Sequence, residues 1–161
     1  MDKGMSRRKR ALKFIWDYKH VLVFLIIWTL VFIWGHSMMD GASSAKESRW
    51  VMELVKPFLE VFVGKGKVTH RLVRKLAHFL EYMLLGLELG ARFVRSFGSF
   101  VKSLLFGLCC ALFDEFIQIF IAGRGAQLSD VILDTAGCLS GILLVLFVLS
   151  LRHLLKKRRK A

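Results

Sequence analysis

The stretch ALFDEFIQIFIAGR, closing at Arg124, is apolar up to that residue except for Asp114, Glu115 and Gln118. Adjacent carboxylates in an apolar run are groups that carry protons, ligate a divalent cation or meet a cationic ligand. Two further blocks bring matching chemistry. RKLAHFLEYMLLG sets Lys75, His78 and Tyr82 at i, i+3 and i+7, one helical face, with Glu81 beside it. LSDVILD sets Asp130 and Asp134 one i,i+4 step apart. His78, Glu81, Asp114 and Glu115 are therefore the candidates for general acid–base chemistry, and His78, Asp114 and Glu115 can also ligate a divalent metal. Lys75 and Arg124 supply the positive charge that holds a phosphate or other anionic head group. Tyr82, Gln118, Asp130 and Asp134 complete the candidate binding residues. No HExxH, GxSxG or two-carboxylate repeat selects one reaction, so hydrolysis, group transfer and simple binding all stay open.

These residues need elements to position them. The chain has 161 residues, 55% of them hydrophobic and 23% charged, with one proline, Pro57. Apolar and charged residues are segregated: stretches without Lys or Arg run from His20 to Ala45, Leu76 to Ala91, Ser103 to Gly123 and Gly125 to Leu151. Each holds an apolar core approaching the ~20 residues that cross a ~30 Å hydrocarbon layer. The expected fold is an all-α membrane protein, a four-transmembrane-helix bundle with an outer amphipathic helix. The chain divides into a basic N-terminus over 1–19, a membrane domain over 20–151 that includes an outer loop over 40–74, and a basic tail over 152–161. The first apolar run is longer than a signal-peptide core and lacks a small-residue cleavage site, so it reads as an anchor.

Orientation follows from the basic residues. Of the 25 Lys and Arg, sixteen lie at the two ends or in the second connection (Arg92, Arg95, Lys102), and the others lie in the outer connections. The positive-inside rule then puts both termini in the cytoplasm, with multi-pass insertion in the membrane. The net charge of +13 points to anionic membrane lipid rather than nucleic acid, because the basic residues flank apolar spans and no aromatic–basic recognition pattern accompanies them. In the outer loop, Ser44 and Glu47 fit a capping box. Trp50, Val51, Leu54, Val55, Phe58, Leu59 and Phe62 then recur at a helical period, with a bend expected near Pro57 and an end at the GKGK of residues 64–67. Cys109, Cys110 and Cys138 lack metal-site spacing and read as small packing residues.

Depth sharpens the picture. At ~1.5 Å per residue, Asp114 lies roughly 15 Å below Arg124, while His78 and Glu81 lie roughly 5 and 9 Å in from Lys75. Three helices thus place polar groups in one half of the bilayer, where a charge costs roughly 2.5–3.5 kcal/mol and persists by facing a protein interior or cavity. An outward-opening polar pocket is expected. The small-xxx-small pairs Gly86/Gly90 and Gly137/Gly141 allow close helix approach. Glu88 has Arg92 four residues on as its expected partner. Structural pairing of Lys75 with Glu81 or Asp130, and of Arg124 with Glu115, leaves the pocket's five carboxylates facing two permanent cations.

Taken together, RKLAHFLEYMLLG, DEFIQIF and GRGAQLSDVILDTAG, in that order and spacing, resemble the VanZ-like family of bacterial membrane proteins. Ser37, at the outer end of the first helix, is compatible with it. The family usually carries asparagine where this chain has Asp134, which adds an acid to an acidic pocket. The resemblance implies an integral membrane protein related to one associated with resistance to the glycopeptide teicoplanin, and it brings no catalytic mechanism. Three functions are compatible with the residues. The first is binding or modification of a lipid-linked or cell-wall precursor at the outer face, where the residue types permit catalysis and do not select a reaction. The second is a proton- or ion-coupled transporter, disfavoured by an inner half with little polarity beyond Glu88, Ser103 and Ser140. The third is a non-enzymatic factor that shields envelope targets. Oligomeric state is open.

Overall fold

The computed structural model of the chain describes residues 7–39, 52–62 and 64–159, with side chains of the first helix from Tyr18 onward. Every regular element among them is helical. Four long helices, α1 (Arg7–Ser37), α3 (His70–Phe93), α4 (Phe97–Gln118) and α5 (Leu128–Arg158), make the bundle, and a shorter α2 (52–62) lies in the first connection. The all-α class expected from the sequence holds throughout these residues.

Local chemistry sets the helix ends. The Thr69 hydroxyl accepts the Leu72 N–H (3.2 Å) and starts α3. Ser96 and Ser99 cap one another at the start of α4, each side chain accepting the other's backbone N–H. Only Val94, Arg95 and Ser96 separate α3 from α4, so these two run back on each other. α1 at its start and α5 at its close run through the basic segments, so the charged residues extend those helices rather than stop them.

The GKGK expectation is met: Gly64 and Gly66 have φ of 96° and 76°, and both N–H groups donate to Glu60, at its carbonyl and its carboxylate respectively. Such φ values suit glycine, which has no Cβ to clash. Pro57 lies inside α2 and does not end it, and Leu54, Phe58, Val61 and Phe62 are exposed. Ser44, Glu47, Trp50 and Val51 lie outside the described residues.

α3 and α4 each pack against the other three long helices, and α3 makes its largest contact with α5. The reason is glycine. A Cβ at Gly86 would run into the Cys138 carbonyl, one at Gly137 into the Phe79 carbonyl, and one at Gly141 into the Met83 carbonyl. Both small-xxx-small pairs therefore sit on the α3–α5 seam and let the backbones touch. Around the seam Ile26, Leu30 and Ile33 of α1, Leu85 and Leu89 of α3, Ala111 of α4, and Val131 and Ile142 of α5 form one core. Cys110 and Cys138 pack into it as small residues, whereas Cys109 is exposed on the outside of α4, contrary to the packing role expected of all three.

Two segments, Tyr18–Ser37 and Leu128–Arg158, are long and apolar enough to cross a membrane by length and composition. α3 and α4 span 24 and 22 residues but carry most of the ionisable side chains of the bundle interior. The outer faces of all four long helices expose large apolar groups, among them Trp28, Leu84, Phe116 and Phe147.

Candidate functional site

The polar residues gather at the end of the bundle where α1 and α4 finish and α3 and α5 begin. At its centre are His78 of α3, Asp114 of α4 and Asp134 of α5, all buried, with Asp114 at 0% and Asp134 at 1% exposure. One nitrogen or oxygen from each lies within 4.8 Å of the others. His78 Nδ1 is 3.8 Å from Asp114 Oδ2. Gln118, one turn along α4 from Asp114, donates to that same oxygen at 3.0 Å and to the Ser37 hydroxyl at 3.4 Å. Tyr82, one turn below His78 on α3, is fully buried and its hydroxyl has no hydrogen-bond partner. His78 and Tyr82 face inward because the glycine seam presses this side of α3 against α5.

The flanks of α3 carry the other pairs. On one side Lys75 pairs with Asp130, and both bond Ser129, at 3.4 Å from Lys75 Nζ and 3.0 Å from Asp130 Oδ1. On the other side Glu81 meets His36 Nδ1 at 3.2 Å, and the His36 ring stacks on His78 with centroids 5.9 Å apart. Arg124 reaches from the α4–α5 loop to the His36 carbonyl at 3.3 Å. Glu115 turns away from Asp114 and accepts the backbone N–H of Gln127 at 2.6 Å. That bond serves the start of α5, where Gln127 is the N-cap and makes no side-chain cap of its own. The two adjacent acids thus have different tasks: Asp114 faces the centre of the bundle, and Glu115 ties the α4–α5 loop.

The ten candidate residues lie between Lys75 and Asp134, inside the stretch that comparison with known families recognises: the VanZ/LLP1 profile matches residues 21–150. The chain belongs to the VanZ/LLP1 family. Neither a curated protein nor a solved structure matches it. Membership and the two long apolar helices together point to a membrane protein.

In this VanZ/LLP1 protein the structure brings His78, Asp114 and Asp134 together. Glu115, expected beside His78 and Asp114 as a metal ligand, is replaced there by Asp134. Lys75 pairs with Asp130, one of its two expected partners. Glu88 is not met by Arg92: it accepts the Thr29 hydroxyl of α1 at 2.9 Å, and the Arg92 guanidinium lies 4.7 Å from the Phe93 ring centroid. Sequence reasoning missed His36 and Thr29. For His36 the available signal was a histidine next to Ser37 at the close of an apolar run; Thr29, a hydroxyl amid apolar neighbours, offers none.

The opening is smaller than expected. The cleft bounded by Lys75, His78, Glu115, Gln118, Asp130 and Asp134 has a free volume of about 10 Å³, room for roughly one water or ion. A larger groove of about 1240 Å³ lies further along α3 from His78, against Leu87, Ala91, Val94, Phe97, Phe100 and Leu144, and is mostly apolar.

Proposed function

We propose that this VanZ/LLP1 protein crosses the bacterial cytoplasmic membrane with all four long helices, keeps both ends in the cytoplasm, and uses its polar cluster at the outer face to bind or modify a lipid-linked or cell-envelope substrate. The observation that carries this reading is the concentration of charge: His36, Lys75, His78, Glu81, Asp114, Asp130 and Asp134 meet at one end of a largely apolar bundle. Buried charge in a membrane helix is costly and persists where it serves a site. The small free volume suits engagement of a head group at the cleft mouth rather than engulfment of a whole lipid.

Lys75 is the anion-binding residue. It already offers its ammonium to a carboxylate, Asp130, and an incoming phosphate would compete for the same donor. His78 and Asp114, one turn deeper, stand where a proton can be accepted or returned. Contribution to glycopeptide resistance of the teicoplanin type would follow from altering or covering an envelope precursor.

The test uses purified protein in nanodiscs with a lipid-linked cell-wall precursor. Wild-type protein should bind it saturably or convert it. Lys75→Gln should weaken the interaction about tenfold or more, the effect of losing one charge-assisted hydrogen bond. Absence of both binding and turnover by the wild type, with ion flux in proteoliposomes instead, would overturn the reading in favour of a transporter.

A further inference from the structure

His78, Asp114 and Asp134 come from three different helices, and each offers one ligand atom within 4.8 Å of the other two. The two carboxylates are 0% and 1% exposed. Both oxygens of Asp134, Oδ1 of Asp114 and Nδ1 of His78 lack a hydrogen-bond partner. Buried polar atoms in native proteins are almost always bonded, so four unbonded atoms within one buried cluster call for a missing partner. A single cation can satisfy all of them together. Among the described residues no Lys or Arg pairs with Asp114 or Asp134, and Lys75 is engaged by Asp130.

From these observations we infer that His78, Asp114 and Asp134 bind a single first-row divalent cation of the zinc or manganese class. Two carboxylates balance the two positive charges of the ion, and neutral imidazole adds none. One nitrogen and two oxygen donors with no thiolate fit Zn²⁺ or Mn²⁺ better than Cu⁺, and the imidazole disfavours Ca²⁺ and Mg²⁺. At metal–ligand bonds of about 2.0–2.2 Å, ligand atoms around one ion stand roughly 3.0–3.5 Å apart. His78 Nδ1 and Asp114 Oδ2, at 3.8 Å, are close to this already. An Asp134 oxygen stands within 4.8 Å of both, so binding the ion would draw it inward. The adjoining cleft of about 10 Å³, bordered by His78 and Asp134, has room for an ion to enter or for a water on the ion's open position. Gln118, on Asp114 Oδ2 at 3.0 Å, orients that ligand from outside the set.

The ion would sit on residues that the envelope-substrate reading also uses, so it deepens that reading of the cluster; metal content is measured without any substrate, so the two can fail separately. Tag-free, full-length protein in detergent is stripped with chelator, incubated with Zn²⁺ or Mn²⁺, desalted and assayed by mass spectrometry of the elements. Wild type should retain about one ion per chain and melt several degrees higher than its stripped form, as expected when a ligand binds only the folded state. Asp134→Asn and His78→Ala should each lose most of the ion and the thermal shift, while Glu88→Gln, a buried acid elsewhere in the bundle, should keep both. Because either site variant can also disturb folding, Co²⁺ titration of the wild type supplies a second reading. Visible d–d absorption that saturates near one equivalent supports the site. Wild-type protein that retains no ion and shows no Co²⁺ absorption overturns it, as does a folded Asp134→Asn variant with full metal content.

Discussion

Replacing Gly86 with alanine tests the feature that builds the site. An alanine Cβ there would lie 2.8 Å from the Cys138 carbonyl carbon and 2.9 Å from its Cα, with the carbonyl oxygen closer still. Ordinary contact begins at 3.4 Å, so clearing the carbonyl carbon alone parts α3 and α5 by roughly 0.6 Å, clearing the oxygen parts them further, and neither side can yield by rotating a side chain. Overpacking of this kind costs about 1–3 kcal/mol, against about 1 kcal/mol gained in helix propensity on leaving glycine. The contact is backbone to backbone on the largest interface of the bundle, so the upper part of the cost range applies and the net loss is about 1–2 kcal/mol. For a chain of this size that lowers Tm by roughly 2–8 °C. The assay is thermal unfolding of purified protein in detergent beside Gly35→Ala, where a Cβ meets nothing within 4 Å and stability should hold or rise. Should Gly86→Ala melt at or above the wild type, the backbone contact of α3 with α5 is wrong, and with it the distance that brings His78 to Asp134.

Two further outcomes are expected. Glu115→Ala should cost about 1.5–3 kcal/mol by leaving the Gln127 N–H without its charged acceptor, whereas Glu115→Gln keeps an oxygen there and should cost about half as much. Equal losses in chemical denaturation would show that the bond to Gln127 is not what the side chain contributes. In a background lacking Cys109, Cys110 and Cys138, cysteines at Lys65 and Gln127 should react with an impermeant thiol reagent in intact cells, and one at Lys157 should not. The reverse pattern would invert the orientation.

Helices and their punctuation were legible without coordinates, because they depend on neighbours in the chain. Apolar runs bounded by basic residues gave the four long helices, although α1 and α5 run on through the basic ends because Lys and Arg are themselves good helix formers. GKGK marked the end of α2, since only glycine takes its φ values without strain. Spacing likewise put Lys75, His78 and Tyr82 on one side of α3, and the glycine pairs announced a close helix contact that the α3–α5 seam bears out. What spacing cannot supply is the rotation of one helix against another. Asp114 and Glu115 are adjacent, about 100° apart around α4, and only packing decided that Asp114 faces His78 while Glu115 turns to Gln127. The same rotation brought Asp134 into the central cluster, set Thr29 rather than Arg92 on Glu88, and stacked His36 on His78. It also fixed the size of the opening: with glycine holding α3 and α5 at backbone contact, the polar residues enclose space for an ion and not for a large ligand.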